Sequence, residues 1–260
     1  MSRKPPERDV ALAVQKLRVH YAKRGRLRFS SHRDFQRALE RALRRAEVPM
    51  AYSAGFSPHP KISYANSAPT GVASEAEYVE IGVTKQCDPV RMRVALDEAL
   101  PPGLDVVDVV TAATPDFVNR LEASRWRFEL PGVDLATAQG AAEVFLAHDE
   151  VIVERLMKNG IRKFDTREAV LSLTVRDESG VSGSQGSEEG TSCAILEAVT
   201  RHVTPSVRPD DLLAALRIAA HLVPPVPPRV TRLAQGPLIP GSTEIGDPFA
   251  PDRAASVSTV

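Results

Sequence analysis

The sequence predicts an α+β protein in which helices cover one face of antiparallel sheets. Several segments alternate apolar and polar residues with a period of two, which is typical of half-buried strands. Other segments repeat apolar residues every three or four positions, as amphipathic helices do. The first half has the order strand, helix, strand, strand, helix, strand, and the second half echoes it. We therefore expect two tandem ferredoxin-like domains of the split β-α-β type.

The first domain is predicted to span residues 15–112, after a flexible arm at residues 1–14 that is polar and carries two prolines. Its first strand begins at Lys16, turns near Gly25 and resumes at Leu27–Phe29. The other predicted elements are a helix over 33–46, strands near 62–64 and 78–83, a helix after Asp88-Pro89, and a strand over 104–111. A capping box of Ser31 and Asp34 is expected to begin the first helix.

The second domain is predicted to span residues 124–233. Its expected elements are strands near 125–130, 151–157, 168–176, 192–200 and 229–233, with helices over 134–147 and from Pro209 onward. A Gly/Ser/Glu tract at residues 178–191 is expected to be a disordered insert. The tail at residues 234–260 is rich in Pro, Gly and Ser, and is also expected to be disordered.

The segment between Lys16 and Lys61 is strongly basic. It holds twelve Lys or Arg against three acidic residues, although the whole chain carries 33 of each sign. This asymmetry predicts an anionic partner that docks at one place. Guanidinium groups three and four residues apart share a helix face, where each can hold a phosphate with two hydrogen bonds. The expected nucleic-acid-binding residues are Arg24, Arg26, Arg28, Arg33, Arg37, Arg41, Arg44, Arg45, Phe56, His59 and Lys61. The alternative is a solvated helix face with ion pairs.

A stiff aromatic loop, Gly55–Pro60, follows the basic helix. Its two prolines restrict the backbone, so an aromatic ring and an imidazole can be presented at little entropic cost. Phe56, with Tyr52 or Tyr64, is placed to stack on a nucleobase. The alternative is that Phe56 and Tyr64 pack in the core while His59 caps a carbonyl group.

Catalytic and metal-binding signals are sparse. His32 and His59 are the candidates for a general base, but each would need a partner that the spacing does not supply. No Cys or His lies at a ligand spacing from them, so no metal or cofactor is expected. The sequence contains no Gly-rich phosphate loop and no nucleophile-elbow motif. Two cysteines, Cys87 and Cys193, cannot supply three thiolates to an iron–sulfur cluster.

The location is expected to be cytoplasmic. No apolar run approaches the length of a membrane span, so no membrane partner is expected. The N-terminal residues lack the apolar segment of a secretory signal. Two widely separated cysteines also suit a reducing compartment.

Three motifs carry a resemblance to a known family. Phe29–Asp34, Arg41–Ala46 and Gly55–Lys61 are similar to the Phe-Ser/Leu-Ser-His-x-Asp, Arg-Ala-Leu-Arg-Arg-Ala and Gly-Phe-x-Pro-His-Pro-Lys/Arg patterns of the bacterial radical-SAM-linked family, a domain of unknown function. The resemblance covers most of residues 16–220 and is densest before residue 85. Members are fused to a radical SAM protein or encoded beside one, often near genes for ribonuclease E/G. Because this chain lacks the radical SAM half, the resemblance implies a separate radical SAM partner.

These observations lead to the interpretation of a non-catalytic accessory protein. It would bind RNA, either tRNA or rRNA, through its basic face and present it to a separate radical SAM enzyme. Two alternatives remain open. Tandem ferredoxin-like domains with a basic groove also resemble the metal-independent Cas6-type RNA endonucleases, in which case His32 or His59 would be the general base. The third interpretation is a protein–protein adaptor whose basic helix docks on an acidic partner.

Overall fold

Helices packed on antiparallel strands make up the described part of the chain. The computed structural model describes residues 11–54, 56–157, 160–177 and 192–257. Within those ranges the chain forms five α-helices and ten strands, and the strand pairs given below are antiparallel. The fold class is therefore α+β, as predicted.

The chain divides into two units. The first comprises Met1–Arg120 together with Asp247–Val260, and the second comprises Leu121–Gly246. The boundary between them, at Arg120 and Leu121, lies between the two predicted domains. The C-terminal residues, by contrast, belong to the first unit and not to a separate tail.

The first unit contains a four-stranded antiparallel sheet and two helices from its N-terminal part. These elements are β1 (Gln15–Lys23), α1 (His32–Arg45), β2 (Ile62–Ala65), β3 (Ala73–Val83), α2 (Pro89–Ala99) and β4 (Leu104–Thr111). The strand order is β4–β1–β3–β2. In register, Leu17 of β1 opposes Ile81 of β3 on one side and Thr111 of β4 on the other.

The alternation predicted for β1 places its apolar side chains in the core of the first unit. Leu17, Val19 and Tyr21 are buried. The Tyr21 ring stacks on Phe35 of α1 with 4.2 Å between ring centroids, and Leu96 of α2 is buried in the same cluster. Burial of these side chains is the main favourable term that holds α1 and α2 on this face of the sheet.

The beginning of α1 follows from local sequence. The Ser31 hydroxyl accepts a hydrogen bond from the Asp34 amide at 3.2 Å, and the Asp34 carboxylate accepts one from the Ser31 amide at 3.1 Å. This confirms the predicted capping box. The hydrogen bonds from Ser31 also hold the pKa of Asp34 below its usual value.

The segment after β1 differs from the prediction. A strand is expected at Leu27–Phe29, but Gly25–Phe29 forms a short 3-10 helix. Gly25 has a φ of +53°, a left-handed conformation that ends the extended backbone and that glycine adopts readily. The Leu27 amide then donates to the Arg24 carbonyl oxygen at 3.0 Å, which closes the turn.

The second unit repeats the same kind of sheet. Its elements are β5 (Ala123–Pro131), α3 (Leu135–Ala147), β6 (Ile152–Met157), β7 (Gly160–Asp165), β8 (Val170–Asp177), β9 (Cys193–Arg201), α4 (Pro209–Ala220) and β10 (Arg229–Gly236). The strand order is β10–β5–β9–β8. β6 and β7 pair with each other as a separate hairpin, and β7 is a strand that the sequence analysis does not predict. Phe128 of β5 and Phe145 of α3 are fully buried in the core of this unit.

The residues after Ala234 correct the prediction of a disordered tail. β10 continues to Gly236, and α5 (Ala250–Val257) follows within the first unit. Phe249, which directly precedes α5, is 1% exposed, and its ring centroid lies 5.4 Å from that of Tyr78. The local composition favours disorder, but burial of the Phe249 ring and the ion pairs of Asp252 offset the conformational entropy that ordering costs.

The two other predicted flexible segments lie largely or wholly outside the described residues. Of the arm at residues 1–14, the structure describes residues 11–14, and the Val14 amide donates to the Val83 carbonyl oxygen at 2.9 Å. The insert predicted at residues 178–191 lies entirely outside the described ranges.

Candidate nucleic-acid interface

α1 separates its apolar and basic side chains onto two faces. The buried stripe consists of Phe35, Ala38, Leu39, Ala42 and Leu43. The exposed side chains include Arg33, Arg37, Arg41, Arg44 and Arg45. Because residues three and four apart are neighbours on a helix surface, these guanidinium groups form a row along the solvent side. We call this set the arginine row.

Most of the arginine row is electrostatically uncompensated. Within the part of the chain that the structure describes, the row makes no ion pair with a carboxylate. Arg45 donates a hydrogen bond from Nη1 to the Ala99 carbonyl oxygen at 3.4 Å. Solvent-facing guanidinium groups without carboxylate partners can each hold a phosphate.

Arg24 is placed differently from the arginine row. Its guanidinium bridges two carboxylates, Glu75 and Asp105, with 2.8 Å between Nη1 and the Asp105 Oδ2. Hydrogen bonding with Glu75 raises the pKa of Arg24. Its charge is therefore already compensated within the first unit, which weakens its predicted role in phosphate binding.

Arg26 and Arg28 lie on the 3-10 helix after β1. Arg26 is exposed. Arg28 is half-buried and places its guanidinium 4.7 Å from the centroid of the Phe29 ring. A guanidinium stacked on an aromatic ring keeps its in-plane donors open, so both residues remain candidates for phosphate contacts.

The loop after α1 is fastened to β3 at its base. The Ala51 amide donates to the Gly82 carbonyl oxygen at 2.8 Å, and the Gly82 amide donates to the Lys61 carbonyl oxygen at 2.9 Å. Within the loop, the Ser53 amide donates to the His59 carbonyl oxygen at 2.8 Å, and the His59 amide donates to Ser53 Oγ at 3.0 Å. These bonds fix the loop's base, so the side chains beyond it project from a defined position.

The aromatic residues of this region differ in exposure. Phe56 is 58% exposed and Tyr52 is 41% exposed, so the alternative that Phe56 packs in the core is wrong. Tyr64, in contrast, lies edge-on to Phe35 with 6.0 Å between ring centroids and belongs with the core. Gly55, the first residue of the predicted loop, lies outside the described residues.

A cleft of about 250 Å³ lies between α1 and the loop. Its lining includes Glu40, Arg44, Met50, Tyr52, Pro58 and His59. The structure thus brings Arg44 of the arginine row together with Tyr52 and His59 of the loop. Phe56 and Lys61 are exposed but do not line this cleft.

The two candidate catalytic histidines have different surroundings. His32 is exposed and lies edge-on to Tyr64, with 4.6 Å between ring centroids, while His59 lines the cleft. Neither imidazole makes a side-chain hydrogen bond within the described residues. Burial raises the pKa of Tyr64 to about 12, assisted by the Glu40 charge. A general base is normally oriented by a second group, and the described residues give neither imidazole a hydrogen-bond partner.

A comparison with known families shows which family the chain belongs to. The family described as an uncharacterized protein conserved in bacteria (DUF2344) matches residues 16–209, more than half of the chain. The chain belongs to the DUF2344 family. No curated protein matches it. All of the candidate interface lies within the DUF2344 match, whereas α5 lies beyond it.

Two features of this DUF2344 chain are missed by the sequence analysis. Glu40 places a carboxylate in the cleft, where it accepts a hydrogen bond from Gln36 Nε2 at 3.0 Å. Its position four residues before Arg44, on the same helix face, is a signal that could have identified it. The second feature is the buried cluster around Asp252, for which the local sequence carries no signal.

The described residues of the DUF2344 chain contain neither a metal-ligand cluster nor a membrane-crossing helix. No three of their His, Cys, Asp or Glu side chains are arranged to hold a metal ion. Cys87 and Cys193 form no disulfide within the described residues. None of the helices described is both long and apolar enough to cross a membrane.

Proposed function

We propose that this protein binds RNA, of the tRNA or rRNA kind, through α1 and the loop that follows it. In this proposal it is a cytoplasmic accessory protein that presents the RNA to a separate radical SAM enzyme. The single observation that carries the proposal is the uncompensated arginine row beside a cleft lined by Tyr52 and His59. Phosphates pair with guanidinium groups, and unstacked bases stack on aromatic rings.

The exposed aromatic residues favour single-stranded RNA over a duplex. Phe56 and Tyr52 offer rings that are 58% and 41% exposed on a loop fastened to β3. Proteins that recognise RNA sequence stack the bases of loops and single strands on such rings, which a paired helix does not permit. We therefore assign the target to a loop, bulge or end of a structured RNA.

The carboxylate of Glu40 indicates how the cleft would be used. A negative charge inside the cleft repels phosphate, so phosphates belong on the arginine row outside it. A carboxylate accepts hydrogen bonds from exocyclic amino groups such as that of cytosine. We therefore assign the cleft to a base and the arginine row to the RNA backbone.

The partner enzyme rests on the resemblance to the radical-SAM-linked family and on cysteine counting. Two cysteines cannot bind a cluster that needs three thiolates, so radical chemistry would come from another polypeptide. The proposed architecture is a tandem of ferredoxin-like domains. Its support is the strand orders β4–β1–β3–β2 and β10–β5–β9–β8, because in each unit the strand after the second helix borders the first strand.

The test is the salt dependence of RNA binding by the full-length chain. Anisotropy of a labelled single-stranded RNA is measured between about 50 and 200 mM salt, where each neutralised phosphate contributes about −0.7 to the log–log slope. Arg41→Ala combined with Arg44→Ala should make the slope shallower by about 1.4, the share of two phosphates. Both side chains are exposed, so the fold should be retained.

A matched control removes two exposed arginines elsewhere, by Arg91→Ala on α2 and Arg217→Ala on α4. It should leave the slope unchanged. Equal slopes in both double variants, or salt-insensitive binding, would refute the RNA interface.

Metal-independent cleavage of the RNA would favour the endonuclease. No binding to RNA together with capture of an acidic protein would favour the adaptor. The radical SAM partnership is tested separately, by identifying the proteins that co-purify from the native organism.

A further inference from the structure

A carboxylate from α5 fills a cationic pocket on the first unit. Asp252 is fully buried. Its Oδ2 accepts hydrogen bonds from Arg18 Nη1 at 2.5 Å and from Arg120 Nη1 at 3.0 Å. Its Oδ1 accepts from the amides of Ala113 and Thr114 at 3.0 and 2.9 Å, and from the Thr114 hydroxyl at 2.6 Å. We call these donors the Asp252 cradle.

The donor set of the cradle is of a kind that binds anions. Two guanidinium groups, two successive backbone amides and a hydroxyl converge on two oxygen atoms. Successive amides that point at one anion form a nest, and nests and arginine forks are recurrent features of phosphate sites. A phosphate group could accept hydrogen bonds from the same donors.

A cavity beside the cradle provides space for a larger ligand. It has a volume of about 590 Å³, and Arg18, Ala113 and Thr114 line both the cavity and the cradle. This volume falls within the range of small-molecule sites, about 300–1,000 Å³. Lys16 adds a second cationic group to the lining, opposite Glu80, with which it pairs at 2.9 Å. A ligand whose phosphate lies in the cradle could therefore extend its remaining atoms into the cavity.

The segment that supplies Asp252 is short and largely exposed, although Phe249 and the ion pairs of Arg253 with Asp108 and Asp247 also hold it. It is a helix of eight residues, and five of its side chains are exposed: Ala250, Pro251, Arg253, Ala254 and Ser256. The family match includes the cradle residues but ends at residue 209, before this helix. The donors thus lie in the part of the chain that defines the family, and the carboxylate that fills them does not.

We propose that the Asp252 cradle and the adjoining cavity form a binding site for a phosphate-bearing ligand, which Asp252 occupies as a displaceable internal substitute. An incoming phosphate takes the donors of Arg18, Arg120 and Thr114, and α5 leaves the site. This proposal does not depend on RNA binding at α1.

In the experiment, the full-length Asp252→Ala variant is titrated separately with inorganic phosphate, a 5′-nucleoside monophosphate and formate. The affinity of each is measured by calorimetry. Phosphate should bind the variant at least tenfold more tightly than the wild type, because the internal carboxylate no longer competes. Adding Arg120→Gln should abolish that binding. Tighter binding of the monophosphate than of phosphate would identify the ligand as a nucleotide that fills the cavity, and equal binding would identify the phosphate group alone as the ligand.

Asp134→Ala is the matched control. Asp134 also accepts an amide and a hydroxyl hydrogen bond, from Thr137, but pairs with no arginine among the described residues. It should not acquire phosphate binding. Binding of formate without phosphate, or phosphate binding that survives Arg120→Gln, would overturn the proposal. If Asp252→Ala does not fold, amide exchange of α5 in the wild type decides: phosphate should accelerate it, and unchanged exchange would refute the site.

Discussion

Replacing Asp252 by Asn should destabilise the first unit strongly although the side chain keeps its shape. The amide oxygen can still accept the three hydrogen bonds from Ala113 and Thr114 that Oδ1 receives. The amide nitrogen, however, would face the guanidinium groups of Arg18 and Arg120. Two arginines that share one carboxylate would then lose their common counter-charge in a buried site.

The size of the effect follows from burial. The side chains of Asp252 and Arg18 are 0% and 4% exposed, and that of Arg120 is 16% exposed. Removing one partner of a buried ion pair costs about 3–5 kcal/mol, because an uncompensated charge remains. Arg18 keeps a second carboxylate, Glu80, with 3.1 Å between Nε and Oε2, so we expect the lower end, about 3 kcal/mol.

The assay must distinguish the first unit from the second. The single tryptophan, Trp126, belongs to the second unit, so its fluorescence does not report the change. Amide hydrogen exchange of β1 and β4, compared with β5 and β9, gives the local free energy of opening. Asp134→Asn is the control, since Asn caps helices as well as Asp and should change exchange little.

The pH dependence supplies an independent check. Burial acts to raise the pKa of Asp252, but hydrogen bonds from Thr114, Arg18 and Arg120 outweigh it, and the pKa is lowered. A carboxyl group with a lowered folded-state pKa stabilises the fold above its unfolded pKa of about 4 and ceases to do so as pH falls through the folded value. The difference between wild type and Asp252→Asn should therefore be full at neutral pH and should narrow in acid. A loss below about 1 kcal/mol, or one that is constant with pH, would refute the charged-cluster explanation.

Three further predictions concern single side chains. Burial lowers the pKa of His20 despite its hydrogen bond to the Glu75 carbonyl oxygen. The first unit should therefore be less stable at pH 5 than at pH 7.5, because the unfolded chain takes up a proton more readily, and His20→Gln should flatten this dependence in amide exchange of β3. Glu40→Gln should weaken the binding of a cytosine-containing RNA in anisotropy by about 1 kcal/mol, because a neutral amide oxygen replaces the carboxylate assigned to the base amino group. Tyr52→Ala should weaken RNA binding by about 1–3 kcal/mol, because a base that stacks on the ring would lose that contact. Unchanged affinity would show that no base stacks on Tyr52 in the cleft.

Local patterns were sufficient to predict most of the regular elements. The capping box of Ser31 and Asp34 and the buried stripe of α1 depend on residues within a few positions of each other, so periodicity and capping rules identify them. The same rules fail where the backbone conformation of one residue determines the secondary structure. Gly25, with its positive φ, converts a predicted strand into a 3-10 helix.

Elements and sites that depend on distant partners could not be predicted from the sequence. Arg18 and Asp252 are 234 residues apart in the chain, so composition alone suggested disorder where α5 forms. The candidate site shows the same limit. Charge counting grouped Arg24 with the arginine row, but Glu75 and Asp105 compensate it from 51 and 81 residues away. The sequence shows which arginines and lysines are present. Ion pairs formed in the folded protein decide which of them remain available to bind phosphate.

The two sets of arginines in the first unit should respond differently to salt. The arginine row faces solvent, where mobile ions screen charges beyond a Debye length of about 10 Å at 0.1 M salt. Arg18 and Arg120 lie in a largely buried cradle, where screening is much weaker. Phosphate binding to Asp252→Ala should therefore change little between about 50 and 200 mM salt, while RNA binding falls steeply over the same range. If phosphate binding instead falls as steeply as RNA binding and is lost in Arg41→Ala with Arg44→Ala, the phosphate lies on the arginine row, and the cradle serves only to hold α5.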